Sequence, residues 1–513
     1  MSIIINYAAN PRFLAILPLL TALTGACGDS GDFSDYTAGY DAGSGSASMG
    51  DEHGGESGDT DAESGDTDES TGEPAQCDAE TPVSLYLSPD DSNSTSSPVQ
   101  ARAAVLGGFG GLDHVPIRTW EFLNYYSFNY GAAEQGMLTM KPEIARTDDM
   151  PDGQYTVQIG VAAESMADSD RPLMNVTLVL DESGSMEGVA IEMERAVCQR
   201  IVHSLREGDV VSMVGWDTEN AVKLAGHVVT GPDDEMLTSA CSALEPGGGT
   251  DLNGGLVAGY ELAHQQYDAA RINRVVLISD GGANAGVTDI DLISGGAGSQ
   301  DQDGIYLVGV GVGTAETYND ELMDAVTDAG RGASLFVPTV DEAQKMFGER
   351  FVQTMAVAAR DVQVRLDMPP GFSIVKFSGE EYSANPAEIE PQHLAPNDAM
   401  VFHQTVATCA PARVDQDAEL TVAIQWRDAV TFAPRSAQVT RKIQEILADE
   451  SPMLKKGAAV FAYAEALKAH QVAHTVDTLG PALSALSVAE AALPGDRDLA
   501  EIRLVLQTLV DQG

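Results

Sequence analysis

Five apolar runs of strand length, set apart by helical patterns between residues 172 and 355, constrain this chain more than any other feature. They are "NVTLVLD" (175–181), "DVVSMVGWD" (209–217), "RVVLISDGG" (274–282), "GIYLVGVGVG" (304–313) and "SLFVP" (334–338). Runs this continuous leave no polar face for solvent, so both faces of the sheet they form must be covered. The intervening segments 191–205, 256–266 and 320–329 carry helical periodicity. Strand and helix in alternation predict an α/β fold, a doubly wound and mostly parallel sheet with helices on both faces.

Such sheets bind ligands in the crevice beyond the carboxyl ends of their strands. The first run ends in Asp181-Glu182-Ser183-Gly184-Ser185, which sets three oxygen side chains on one tight turn before a helix. Further on, "EPGGGTDLNGG" (245–255) places Thr250 in a glycine-rich loop, also before a helix. The third run delivers Asp280, followed by Gly281 and Gly282. Three loops thus carry hard oxygens to one edge of one sheet. Two carboxylates and three hydroxyls, with no imidazole or thiolate, suit Mg²⁺, or Ca²⁺ or Mn²⁺, rather than Zn²⁺. Neutral hydroxyl ligands leave charge on the ion, so a carboxylate from a protein partner can replace one of its waters.

Other readings of the same residues are weaker. Asp181 and the serines could cap a helix, since both residue types do so well. As a nucleophile, Ser183 or Ser185 would lack the Gly-x-Ser-x-Gly turn and any base assignable by spacing. A phosphotransfer role for Asp181 would leave both serines idle. No Lys follows Thr250, so the glycine loop is not a Walker motif.

Taken together, these residues resemble a von Willebrand factor type A domain with a metal-ion-dependent adhesion site, whose five motif positions match Asp181, Ser183, Ser185, Thr250 and Asp280 here. The resemblance covers about a third of the chain. It implies a bound divalent cation and a non-enzymatic role, the binding of a protein partner through an exposed Asp or Glu. The stretches 120–130 and "RDVQVRL" (360–366) are similar to flanking regions of bacterial exported proteins of the YfbK-like type. Glu182 departs from the neutral residue usual at that place. Two rival functions stand beside adhesion: an envelope enzyme that uses the domain to recruit substrate, and a structural envelope protein whose metal site is vestigial.

The remaining chain divides by composition. Arg12 precedes an apolar run (13–26) too short to span a bilayer and ending in small residues before Cys27. Thr24-Gly25-Ala26-Cys27 resembles a lipoprotein signal in which Cys27 takes the lipid; ordinary secretion with cleavage near Ala26 is the alternative. Residues 28–79 read as an acidic Gly/Ser/Asp linker with a tandem repeat, "ESGDTDA" then "ESGDTDE". Its composition cannot bury enough surface to fold, which favours a solvated spacer over a calcium sponge. Then come an N-terminal associated region (80–171), the central domain (172–355), a β-rich region (356–440) with the alternation of antiparallel strands, and a helical C-terminal region (441–513). The expected location is the cell envelope, as an outer membrane lipoprotein facing the periplasm or the surface, with the membrane reached through the lipid anchor.

A net charge of −50 excludes nucleic acid as a partner and docking on an anionic bilayer. With Cys27 lipidated, four cysteines remain, and they allow three pairings. Cys198 and Cys241 share one predicted domain and are the expected disulfide, with buried free thiols as the rival. His470 and His474 stand four apart on a predicted helix but lack the zincin glutamate, so they read as surface residues. The aromatic cluster Trp120, Phe122, Tyr125, Tyr126 and Phe128 reads as core packing, with a sugar platform as the alternative.

Overall fold

The computed structural model describes residues 78–89, 94–107, 111–146, 150–282, 304–414, 417–447 and 451–512. The expected signal segment, Cys27 and all of the linker but its last two residues lie outside the described residues. Three strands precede the central domain: β1 (Val83–Ser88), β2 (Thr139–Ala145) and β3 (Gln154–Ala162). The domain itself holds β4 (Met174–Asp181), β5 (Val210–Trp216), β6 (Asn220–Val228), β7 (Ile272–Ser279), β8 (Ile305–Val312) and β9 (Ala333–Val337). Seven strands follow: β10 (Ala359–Met368), β11 (Phe372–Phe377), β12 (Glu381–Ser383), β13 (Gln392–Leu394), β14 (Ala399–Thr408), β15 (Glu419–Asp428) and β16 (Pro434–Lys442).

The central sheet runs β6-β5-β4-β7-β8-β9, parallel except for the edge strand β6. Every residue of β4 and β8 is buried, as their apolar runs require. Alternation along β4 sends Val176, Leu178 and Leu180 to one core, where they meet Val197, Ile201 and Val202 of the helix Val189–Ser204. Val179 points the other way, to a core shared with Leu256 and Tyr260 of the helix Leu252–Gln265. Helices therefore cover both faces, and the doubly wound sheet is present. The edge strand β6 is mostly exposed, and Ala221, Ala225 and Gly226 blur the alternation of Val222, Leu224 and Val228, so a reading by periodicity passes it over.

Cys198 and Cys241 form a disulfide that ties the helix Val189–Ser204 to the helix Glu235–Ser242. Cys409 is disulfide-bonded as well. The first bridge joins residues 43 apart. Closing a loop of that length removes unfolded-state entropy worth at most about 4 kcal/mol. A Cys198→Ala/Cys241→Ala variant is expected to lose about 2 to 4 kcal/mol of stability, measured by urea unfolding; an unchanged midpoint would show that the bridge adds nothing.

The regions before and after the central domain, distinct in sequence, share two sheets. β1 pairs antiparallel with β10, Val83 opposite Met368, and β3 pairs with β14 over nine positions from Ala399–Ala162 to Ala407–Gln154. The order in one sheet is β12-β1-β10-β15-β16, with β13 also on β10; the other runs β11-β14-β3-β2. The two ends of the central domain are neighbours on this frame. Ala163 N donates to Asp398 O (3.0 Å) and Ala358 N to Leu394 O (2.8 Å), at the two ends of the short connection from β13 to β14. The central domain is thus an insertion in a frame built from both flanks.

At the entry point Arg171 and Asp209, both fully buried, face each other at 2.7 and 3.1 Å. Asp209 also accepts from the backbone of Met174 (2.8 Å) and Arg206 (2.9 Å), so one carboxylate fastens the start of β4 to the turn before β5.

The aromatic cluster is core apart from Trp120, which is half-buried. Phe122, Tyr125, Tyr126 and Phe128 are buried, and Phe122 packs edge-on against Tyr463 of the helix Pro452–Ala473 at 5.4 Å. His474 terminates that helix in a left-handed conformation, φ 48°, which takes it out of helical register with His470. Among the described residues no helix is long and apolar enough to cross a membrane.

Candidate metal centre

β4 ends at Asp181, and the turn that follows folds back on it. Ser183 N donates to Asp181 Oδ1 (2.9 Å), and the hydroxyl oxygens of Ser183 and Ser185 lie 3.0 Å apart. The glycine loop is bound to this turn: Gly184 N donates to Gly248 O (3.3 Å) and Gly247 N to Glu182 O (2.7 Å). Gly248 has φ 73°, and a side chain there would meet Asp217 Oδ2 at 2.7 Å, so the loop passes close to the end of β5 only as glycine. Thr250 follows, and Asp251 caps the next helix by accepting from Gly254 N (3.0 Å).

The third loop closes the ring. Ser279, the last residue of β7, donates to Asp181 Oδ2 (2.6 Å) and accepts from Gly281 N (2.9 Å). Asp280 Oδ1 accepts from Gly282 N (3.0 Å). A methyl group placed on Gly282 would stand 3.1 Å from Asp280 Oδ1, 3.4 Å from Ser185 Oγ and 3.6 Å from Thr250 Cγ2. The structure therefore brings all five sequence-predicted residues to one end of the sheet, four of them buried and Ser185 open to solvent.

The electrostatics of this spot ask for a cation. Burial pushes the Asp181 carboxyl up to about 7, against the pull of hydrogen bonds from Ser279 and Ser183, and Asp280 adds like charge. A hard divalent ion is what two nearby carboxylates flanked by hydroxyls accommodate. Asp181, Ser183, Ser185, Thr250 and Asp280 are the residues that would hold it.

Three further residues support the site: Ser279 and Glu194, which the sequence reading passes over, and Glu182, which it singles out without a role. Ser279 orients Asp181 but reads only as the end of a strand. Glu194 is fully buried beneath the turn, where its Oε1 accepts from Asp181 N (2.8 Å). Burial holds the Glu194 carboxyl well above the usual range, with Asp181 adding to the effect. Its signal was legible: Ala190, Ile191, Val197, Cys198 and Ile201 form the buried stripe of their helix, and Glu194 is the one acid on it. Glu182 points away from the site. Its Oε2 lies 2.7 Å from Lys223 Nζ on β6, and its Oε1 accepts from Glu245 N (3.3 Å). It lies flat over Gly215, where any side chain would strike it. Glu182 thus ties the serine turn to the edge strand and to the loop that carries Thr250.

Residues 176–283 match the family model for the von Willebrand factor type A domain. The chain carries a type A domain. YfbK of Escherichia coli K12 is 25% identical over 264 residues, spanning 50% of this chain and 45% of that protein. The Synechocystis protein sll0103 is 26% identical over 221 residues, spanning 43% of this chain and 51% of its own length. The chain thus matches about half the length of these curated relatives. Among solved structures, a von Willebrand factor type A protein from Catenulispora acidiphila aligns with 72% of this chain and 88% of its own, at 14% identity and a TM-score of 0.44. The YfbK-like resemblance extends past the type A domain, since a match over half the chain is longer than the domain itself.

Proposed function

We propose that this protein binds a protein partner through a divalent cation, Mg²⁺ or else Ca²⁺ or Mn²⁺, held by Asp181, Ser183, Ser185, Thr250 and Asp280. An Asp or Glu of the partner supplies the remaining ligand. The observation that carries this reading is the pair Asp181 and Asp280, buried side by side with three hydroxyls and exposed only through Ser185. Two buried like charges are costly unless an ion of opposite sign joins them. No reacting group is needed for this function: the hydroxyls and the ion recognise a carboxylate and leave it unchanged.

The same proposal places the protein in the cell envelope, carried there by the N-terminal signal and anchored through Cys27, with the acidic linker as a spacer. Partners captured from envelope extracts in Mg²⁺ should be lost in EDTA, and lost equally from the Asp181→Ala and Thr250→Ala variants in Mg²⁺. A partner retained under all three conditions would overturn the adhesion reading. Loss of lipid labelling in Cys27→Ala is the expected result for the anchor; persistent labelling would refute it.

A further inference from the structure

At the other end of the sheet, where the type A domain sits on the β-frame, lies a cavity of about 100 Å³, partly open to solvent. That is room for several waters or one tetrahedral oxyanion, since a single water needs roughly 15 Å³ of such space. Its charged lining is mostly cationic, three arginines against one carboxyl. Arg274 comes from the start of β7, Tyr306 from the start of β8, Arg331 from the turn before β9, Arg350 from the domain's last helical segment, and His393 from β13.

The charges do not balance inside the protein. Arg331 is met by Asp361 (2.7 Å), which also takes Arg427 (3.2 Å). The one lining carboxyl, Asp398, accepts from Ala399 N (2.8 Å) and lies near Arg350. Arg274 is 6% exposed, and among the described residues no carboxylate pairs with it. Its Nη1 reaches the carbonyl of Asn273 at 3.3 Å. The Tyr306 ring does not neutralise it, because that ring carries two guanidiniums, Arg274 at 5.2 Å and Arg360 at 4.9 Å. A buried cation held this way is expensive unless an anion joins it.

His393 supplies a second unmet donor. Burial, with Arg331, Arg360 and Arg274 nearby, keeps the ring neutral. Its Nδ1 accepts from Asp361 N (3.3 Å), which puts the proton on Nε2. That buried N–H has no hydrogen-bond partner. An orphaned donor and an unpaired guanidinium therefore line one small cavity.

We propose that this cavity is a binding site for a small oxyanion, a free phosphate or a small carboxylate, held by Arg274, Arg331 and the His393 Nε2–H. The planar fork of a guanidinium matches both oxyanions through paired hydrogen bonds. The site is independent of the candidate metal centre, which lies at the opposite ends of the same strands.

Equilibrium dialysis of the full chain against radiolabelled inorganic phosphate, with a chelator present to exclude cation-bridged binding, tests the assignment. Saturable uptake of one phosphate per chain is expected, displaced by sulfate, and at least roughly tenfold weaker in Arg274→Leu. Stronger displacement by acetate than by sulfate would assign the site to carboxylates. Arg274→Leu removes an unpaired buried charge, so its Tm without phosphate should equal or exceed that of the wild type, while the rise in Tm that phosphate gives the wild type disappears. Absence of saturable uptake of phosphate, sulfate and acetate by the wild type, or uptake unchanged in Arg274→Leu, would overturn the proposal.

Discussion

Asp181→Ala is expected to abolish divalent-cation binding. Loss of a residue that merely orients a ligand weakens metal affinity by about 10- to 100-fold, so loss of a carboxylate ligand at the floor of the site should exceed roughly 100-fold, or about 2.7 kcal/mol. Calorimetric titration with Mg²⁺ and Ca²⁺ reads this directly. A second sign separates the site from the fold. In chelator the wild type must hold a fully buried carboxyl beside Asp280, and the variant need not. The variant should therefore unfold no earlier than the wild type in EDTA, yet gain nothing from added Mg²⁺, while the wild type gains in proportion to occupancy. Equal Mg²⁺ stabilisation of both proteins would remove Asp181 from the site.

The largest loss of stability should follow Asp209→Ala. Arg171 and Asp209 are completely buried, and the carboxylate also serves two backbone amides. Removing it takes away the only buried counter-charge of the Arg171 guanidinium and leaves it the solvent-exposed Asp168 carboxylate at 3.2 Å, a change worth about 3 kcal/mol. Urea unfolding should show the midpoint fall by that amount. The paired replacement Arg171→Met/Asp209→Leu should recover part of the loss, because it leaves no lone charge, although two amides remain unmet. If the double variant is as unstable as the single one, the backbone bonds rather than the buried charge set the cost.

The parallel sheet was readable because its central strands are buried on both faces, and continuous apolar runs such as 175–180 record that burial directly. The expected helix at 320–329 coincides with the observed Asp320–Ala329. The convergence of Asp181, Ser183, Ser185, Thr250 and Asp280 was readable for a related reason: strand order and the carboxyl-end rule bring those loops together before any side chain is considered. What escaped was whatever depends on pairing between distant segments. The edge strand β6 has only a broken alternation, Val222, Leu224 and Val228, and leaves Val222 and Val228 exposed. The alternation of β10 is legible, but nothing in it names β1 as its partner across nearly three hundred residues. Glu182 was legible as an anomaly and not as a tie to Lys223, because Lys223 lies on the strand that the pattern hid. The unpaired Arg274 and His393 belong to a cavity made by two regions at once, and a linear reading does not bring them together.

The insertion of the type A domain has a consequence for the order in which the molecule assembles. Within the domain β5 meets β6 through a tight hairpin, and even the widest pairing, β4 with β7, joins Met174 to Ile272, a far shorter span than any between the flanks. The frame has no such option. Val83 must wait for Met368, and Tyr155 for Val406. Contacts of such long range form slowly because a large loop must be closed first. The inserted domain, by folding early, shortens that loop: its two ends come to lie side by side, and a closure spanning some two hundred residues becomes a local one. Refolding should then proceed in two phases, the domain ahead of the frame. Until the second phase ends, the bare edges of β1 and β3 are the part of the chain most exposed to mispairing.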